Sequence, residues 1–217
     1  IPLWLAINLA YRFRPVYAKL SNELDRYRQI IDPIRKAAML GIPALLGLFA
    51  GLGTAGTWPQ FLLWMNREPF GRVDPEFGLD VGFYVFELPV FNSVIGFAST
   101  IVLLSAVGTV LTGFLYGAIS LNGRELRISR TMRIQLGIIG VIYFVVQAVN
   151  LWLQQYVTLV SPSGGFLPFG AGFTEASATI PARAIMAGIA IVVALLFLIT
   201  AIIGRWRLAV IGTALYI

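Results

Sequence analysis

The sequence contains no cysteine and no histidine, and charged residues make up only 12% of its 217 residues. Without thiols or imidazoles, this chain can form no disulfide, no zinc site of the usual type and no cysteine- or histidine-based catalytic centre. Its charged fraction is about half that of an ordinary soluble domain. With 58% apolar residues, the chain is too hydrophobic to be solvated on all sides. These shortages point to a membrane protein.

The charged residues that are present separate long uncharged runs. A helix needs about 20 apolar residues to cross a hydrocarbon core roughly 30 Å thick. Trimmed at turn-forming residues, the runs predict full spans at about 38–57, 94–119, 134–154 and 184–204, and partial spans at about 1–10 and 208–217. We therefore predict an all-α fold, a polytopic transmembrane helix bundle with amphipathic or interfacial helices in its loops. Residues 1–217 form one transmembrane domain in this interpretation, and we expect it to belong to a longer protein.

The basic residues alternate from one loop to the next, and the net charge is +6. Most of them lie in loops 11–36, 120–133 and 204–207, which the positive-inside rule places in the cytoplasm of a bacterial cell. Loops 58–93 and 155–183 are then extracytoplasmic. We expect a plasma-membrane location, with the lipid bilayer, its anionic headgroups and membrane or envelope proteins as partners. Nucleic acid is not expected, because it requires a basic face on a soluble fold.

A juxtamembrane helix is predicted within loop 11–36, where apolar residues recur at helical spacing. Its arginines either face anionic headgroups or lie on a helix that packs against its own bundle. Arginines of both basic loops are predicted to contact headgroups. They are Arg26, Arg28, Arg124, Arg127, Arg130 and Arg133.

The stretch "EFGLDVGFYVFELPVF" (76–91) combines five aromatic rings with three carboxylates. In a helix, one face would carry Leu79, Phe83, Phe86 and Val90. Aromatic residues are enriched at the membrane–water interface, so we interpret 78–90 as an interfacial segment on the outer surface. A short strand and a re-entrant loop are the alternatives.

None of the four predicted full spans contains an ionisable residue, which argues against a proton relay or an intramembrane enzyme. No catalytic residue and no cofactor is therefore predicted. Two amides one turn apart, Gln147 and Asn150, are the most polar pair in the spans. They indicate either an interhelical hydrogen bond or a polar cavity. Small residues at helical spacing, Gly47 with Gly51 and Gly113 with Gly117, predict close helix packing.

Acidic residues outside the spans suggest two further sites. Asp74, Glu76 and Asp80 offer oxygen ligands for a hard cation, but their spacing matches no calcium-binding loop. A solvated acidic rim is the favoured interpretation, and no metal site is predicted. Glu175 and Arg183 lie near each other in the sequence and could form a structural ion pair.

Two motifs are specific enough to name a resemblance. "LLWMNREPFGRVDPEFGLDVGFYVFELPVF" (62–91) and "GAGFTEASATIPARAI" (170–185) resemble the signatures of an uncharacterised bacterial membrane protein family, number 0182 in the uncharacterised-protein-family series. Where the family pattern usually has tyrosine and aspartate, this chain has Phe173 and Glu175. The resemblance implies several membrane spans followed by a large extracytoplasmic domain. It implies no established activity, so it assigns no functional residue.

Three functions fit the sequence. The first is a membrane anchor or scaffold for an extracytoplasmic domain, without catalysis in this chain. The second is a transporter or channel subunit for lipid or envelope components or for ions, which would need a continuous polar pathway. The third is the membrane part of an enzyme whose chemistry lies in a domain outside these residues.

Overall fold

A computed structural model describes residues 1–12, 35–122, 125–161, 170–204 and 206–216. Most of these residues are helical, which confirms the predicted all-α class. The α-helices are α1 (Pro2–Arg12), α2 (Arg35–Thr54), α3 (Trp58–Met65), α4 (Leu88–Leu115), α5 (Arg130–Val160), α6 (Ile180–Ile203) and α7 (Trp206–Tyr216). The predicted juxtamembrane helix, with Arg26 and Arg28, lies outside the described residues.

Four helical stretches are long and apolar enough to cross a membrane. They are Met39–Met65, Phe83–Leu115, Arg130–Val160 and Glu175–Ile203, with 27 to 33 residues each. A span needs only about 20 residues, so each helix continues beyond a hydrocarbon core. The second of them ends earlier than predicted, at Leu115, because the chain turns at Gly117 with a φ of 71°.

A two-stranded antiparallel hairpin follows this turn, where the sequence predicted a loop. Strand β1 (Ile119–Asn122) pairs with β2 (Glu125–Ile128), and Ile119 lies opposite Ile128. The sequence alternates apolar and polar residues in both strands, the period that a half-buried strand requires. The basic loop is therefore partly ordered by backbone pairing.

Two of the long helices begin with a π-helical turn. Phe83–Glu87 leads into α4, and Glu175–Thr179 leads into α6. In both cases the second residue of the following α-helix is a proline, Pro89 or Pro181. Proline lacks an N–H, and its ring collides with the carbonyl four residues earlier, so the wider π turn relieves that clash. Helical backbone runs from residue 81 into α4, so the predicted segment 78–90 is no separate helix and no strand.

One compact unit comprises Ile1–Ala50, Thr100–Phe144 and Val192–Ile217. Within it, α5 approaches α6 closely through glycines that the sequence analysis did not select. A Cβ placed on Gly137 would lie 2.6 Å from Cβ of Ala201, and one on Gly140 would lie 2.1 Å from the Phe197 ring. These two glycines thus provide the close backbone approach that packing in lipid requires.

The glycines selected from the sequence behave differently. A Cβ on Gly113 would lie 1.8 Å from Cε of Met132, so this glycine does pack closely. Gly117 makes the turn after α4 instead. A Cβ on Gly47 or Gly51 would meet nothing within 4 Å among the described residues. Indeed, no residue of the stretch Met39–Met65 is buried within the described structure.

The second compact unit comprises Gly51–Ser99 and Val145–Ile191. Its core is formed by Tyr84, Leu88 and Leu153, and rings of neighbouring residues pack around them. This core fixes the start of α4 against the last turns of α5. It therefore positions residues 66–87, the segment that connects α3 to α4.

Candidate functional site

The acidic aromatic loop, defined as residues 66–87, is the candidate site. It starts where α3 ends at Met65 and finishes with the π turn before α4. Its two ends are joined by an ion pair, with Nε of Arg67 3.0 Å from Oε1 of Glu87. Both side chains are partly exposed, so this pair adds only modest stability.

Asp74 is the centre of the loop. Its Oδ1 accepts hydrogen bonds from the main-chain N–H groups of Glu76 (2.9 Å) and Phe77 (2.7 Å). Its Oδ2 accepts from the N–H of Leu79 (3.0 Å) and from the hydroxyl of Tyr84 (2.7 Å). One carboxylate therefore holds the turn that begins at Asp74-Pro75 and ties it to the helical residue Tyr84.

Asp80 organises the other half of the loop. Its Oδ1 accepts from the N–H groups of Phe70 (3.0 Å) and Gly82 (2.7 Å), and its Oδ2 accepts from Gly71 (2.9 Å). Asp80 also forms an isolated antiparallel bridge with Val73. The two aspartates together satisfy main-chain donors that a loop without regular structure would otherwise leave unpaired.

These hydrogen bonds change the acidity of both groups. Desolvation acts to raise the pKa of Asp74, but the N–H of Phe77, the Tyr84 hydroxyl and the N–H groups of Leu79 and Glu76 outweigh it, so its pKa lies below 3.8. The N–H of Gly82, followed by that of Phe70, lowers the pKa of Asp80 below the same value. Hydrogen bonds to the charged form favour ionisation, so both groups are carboxylates at neutral pH.

The arrangement does not favour a metal site at Asp74, Glu76 and Asp80. Both aspartates direct their oxygens at N–H and O–H donors, which a cation would have to displace. Among the described residues, no group of three or more acidic side chains is placed to hold a metal ion. The same donors make Asp74 and Asp80 poor general bases, because their proton affinity is reduced.

The four residues predicted to face the membrane interface lie in different surroundings. Leu79 and Phe83 pack against the core of their unit. Phe86 stacks on Phe70 with ring centroids 5.7 Å apart, and Val90 is only 3% exposed. No single apolar face carries all four, because Leu79 precedes the helix. Contact between this segment and a membrane interface stays a prediction.

An aromatic cluster that was not predicted from the sequence links the loop to α5. Tyr156 of α5 packs against Phe77 (4.7 Å between centroids) and against Phe83 (5.3 Å). Phe83 also meets the ring of Tyr84 edge-on at 5.2 Å. A single sequence carries no signal for the pairing with Tyr156, whereas Tyr84 was visible among the five rings of the stretch.

Gln147 and Asn150 contact each other. Nδ2 of Asn150 donates to Oε1 of Gln147 over 3.2 Å within α5. Neither amide lines the apolar grooves of about 450, 360 and 330 Å³ that described residues form. A polar cavity at these residues stays a prediction.

The predicted ion pair between Glu175 and Arg183 is not seen among the described residues. The guanidinium of Arg183 instead donates through Nη1 to the main-chain oxygen of Gln154 and to Oγ1 of Thr158. The carboxylate of Glu175 folds back towards Gly172, where an added Cβ would lie 2.7 Å from Oε2. Eight residues that include a π turn do not bring the two side chains together.

The basic residues predicted to contact headgroups are only partly described. Arg26, Arg28 and Arg124 lie outside the described residues, and of Arg127 only the backbone is described, in β2. Arg130 is exposed at the start of α5. The Arg133 guanidinium lies against Gly204, where a Cβ would be 2.7 Å from Cζ. A cation there complements the partial negative charge at the C-terminus of α6.

The whole chain, residues 1–217, matches the uncharacterised protein family UPF0182. It is 53% identical over 214 residues to a UPF0182 protein of Clavibacter sepedonicus, covering 99% of this chain and 22% of that protein. Identity to UPF0182 proteins is 50% over 217 residues in Leifsonia xyli (100% of this chain, 22% of the relative) and 39% over 213 residues in Tropheryma whipplei (98% and 22%).

The chain thus spans about a fifth of the length of the curated relatives it matches. No solved structure matches it. The names of these relatives state no activity. With this match over every residue, the chain belongs to UPF0182, an uncharacterised protein family.

Proposed function

We propose that this chain is the multi-pass part of a bacterial plasma-membrane protein and that it anchors an extracytoplasmic domain carried by the rest of that protein. One observation carries the proposal. Four described helices are long and apolar enough to span a bilayer, and their central residues carry no charged side chain. A protein that moves protons or ions through such helices usually carries charged groups at that depth.

The acidic aromatic loop supports an organising role beside the anchoring one. Its two aspartates and the ion pair at its ends fix a defined surface. Apolar side chains remain accessible on it, because Phe70 is 55% and Val73 68% exposed. Under the positive-inside assignment the loop lies outside the cell, where membrane or envelope proteins could contact it.

An exchange of anchors tests the proposal. In a full-length relative, the region equivalent to residues 1–217 is replaced by an unrelated set of spans with the same sidedness. If the region only anchors, the chimera keeps the remaining domain at the cell surface. It then also restores the wild-type phenotype to a strain from which the full-length protein has been deleted. A chimera that reaches the surface intact but restores nothing would contradict anchoring, because this region would then contribute more than attachment.

A transporter or channel subunit is the second candidate. Oδ1 of Asn92 and Oγ of Ser99 are two of the three polar atoms on α4 that are buried without a hydrogen-bond partner in the described residues. They lie two turns apart on one side of the helix, and such atoms often contact water. Solute release from liposomes that contain the purified protein tests this candidate. Release that falls in Asn92→Leu and Ser99→Ala variants would favour a pathway, and tight liposomes would favour the anchor.

A further inference from the structure

Arg183 is a half-buried charge of the described structure. It lies at the start of α6, and the rest of that helix to Ile203 carries no charge. Its two hydrogen-bond acceptors, on Gln154 and Thr158, are neutral. No carboxylate of the described residues lies within salt-bridge distance of its guanidinium. The nearby C-terminus of α5 offers about half a negative charge, which compensates this cation only in part.

One hydrogen-bond donor on α5, between the two acceptors of Arg183 in the sequence, has no acceptor among the described residues. Gln155 is only 4% exposed, and its Nε2 is buried without an acceptor in the described residues. It is three residues from Thr158 on α5, so the two side chains are neighbours on the helix surface. A guanidinium has five N–H groups, and among the described residues only Nη1 has an acceptor. The group that would complete this cluster is therefore an acceptor with negative charge.

The position in the helices indicates where that acceptor comes from. Gln154 to Thr158 lie in the last two turns of α5, and Arg183 lies in the first turn of α6. The uncharged run from Ala184 to Ile203 is long enough to cross a hydrocarbon core, which needs about 20 residues. Arg183 then lies at the edge of that core, at the depth of lipid phosphates.

We propose that Arg183 and Gln155 bind the phosphate group of a membrane lipid at the end of α5 and α6. The planar guanidinium fork of an arginine can donate two hydrogen bonds to two oxygens of a phosphate. The Gln155 amide can donate to a third oxygen. This inference rests on the membrane placement proposed above. A soluble phosphate shares the same chemistry, so the experiment separates the two sources.

Native mass spectrometry of the purified protein, exchanged into mixed micelles with phosphatidylglycerol, measures the retained lipid. We expect Arg183→Gln to reduce the lipid-bound fraction at least about tenfold, because a charge-assisted hydrogen bond contributes about 1.5–3 kcal/mol. The matched control is Arg72→Gln, which removes an exposed arginine of the same unit and leaves retention unchanged. Arg183→Lys keeps the charge without the fork and should retain an intermediate fraction.

Gln155→Leu separates binding from folding. It removes a buried donor that lacks an acceptor, so it should leave the lipid-free protein as stable as the wild type or more so, while retention falls several-fold. A purely structural Gln155 would give the stability change with unchanged retention, which would count against the site.

Three results would overturn the proposal. One is that the Arg183→Gln and Arg72→Gln variants retain equal fractions of phosphatidylglycerol. Another is that the wild-type protein retains a phosphate-free galactolipid as well as it retains phosphatidylglycerol. The third is that inorganic phosphate without lipid raises the thermal stability of the protein as much as phosphatidylglycerol does. That result would exclude the lipid as the source of the bound phosphate. A separate measurement asks whether the protein leaves membranes only when detergent is added. The membrane location is therefore tested independently of the lipid site.

Discussion

At the residue scale, the acidic aromatic loop depends on carboxylates that accept main-chain hydrogen bonds. Asp74 receives four donors and Asp80 receives three. Gly78 completes the turn with a φ of 66°, and its N–H donates to the carbonyl oxygen of Asp74 (3.1 Å). A residue with a side chain is strained in this conformation. Few positions therefore determine the conformation of the whole loop.

Replacing Asp74 by asparagine should loosen the loop. The amide nitrogen would face the N–H of Leu79, which then loses its acceptor at a cost of about 1–3 kcal/mol. Hydrogen exchange of the peptide covering 74–82 should accelerate. The control is Glu76→Gln, which changes an exposed carboxylate that makes no hydrogen bond within the described residues. Equal acceleration in both variants would show that Asp74 has no special role.

Acid should loosen the same loop in the wild type. The folded-state pKa values of Asp74 and Asp80 lie below 3.8, so their contribution is fully present above about pH 4 and is lost as the pH falls through those lowered values. Exchange in the loop, corrected for its intrinsic pH dependence, should stay constant from about pH 8 to 5 and rise below about pH 4. The doubly substituted protein, Asp74→Asn with Asp80→Asn, should lack this step.

At the element scale, glycine positions determine how closely the helices approach. Gly137 brings α5 to α6, and the atoms that an added Cβ would meet there include Cα of Ala201 (3.2 Å) and the carbonyl oxygen of Phe197 (3.3 Å). Backbone atoms cannot move as the end of a flexible side chain does. The helix axes must therefore separate when a side chain is added.

Gly137→Ala should destabilise the protein by about 1–3 kcal/mol, since the overpacking outweighs the better helix propensity of alanine. Gly47→Ala is the matched control in α2, where an added Cβ meets nothing within 4 Å of the described residues. It should be neutral or stabilising by up to about 1 kcal/mol. Unfolding by sodium dodecyl sulfate in mixed micelles measures both. A Gly137 variant as stable as the Gly47 variant would contradict the close contact.

The elements differ in how well the sequence predicts them. The long apolar runs predicted the four long helices, because span length follows from bilayer thickness. Pro89 and Pro181 indicated the π turns in the sequence. The indication is recognisable only if one considers that a proline ring near a helix start collides with the carbonyl group four residues before it. The alternating residues 119–128 carried a signal for the hairpin, which the charge pattern obscured.

The candidate site was predictable only in its composition. The stretch showed its rings and carboxylates, but one sequence cannot show that Tyr156 packs on Phe83 or that Arg183 reaches Thr158. Such contacts join residues far apart in the chain, and no local pattern encodes them. Glu175 was predicted as the partner of Arg183 because the two residues are close in the sequence. With the π turn between them, closeness in the sequence does not predict the distance between the two side chains.

At the scale of the whole molecule, orientation is the property on which the proposed function depends. The basic loops alternate with acidic or neutral ones, and translocation retains arginine-rich loops in the cytoplasm. Under the proposed positive-inside assignment, the acidic aromatic loop and the Arg183 cluster lie on the outer side. A reversed orientation would turn the loop towards the cytoplasm, where it could not support an extracytoplasmic domain.

Single-cysteine labelling tests this orientation without background, because the chain contains no cysteine. A membrane-impermeant maleimide should label intact cells that carry Glu76→Cys or Phe173→Cys, both exposed positions of loops assigned to the outside. It should label Gly123→Cys and Arg207→Cys only after permeabilisation. Since positive charge determines sidedness, replacing Arg130 and Arg133 by glutamine should weaken the protection of Gly123→Cys. If Gly123→Cys were labelled in intact cells while Arg130 and Arg133 are unchanged, the orientation would be the reverse of the one proposed. The proposed anchoring of an external domain would then have no basis.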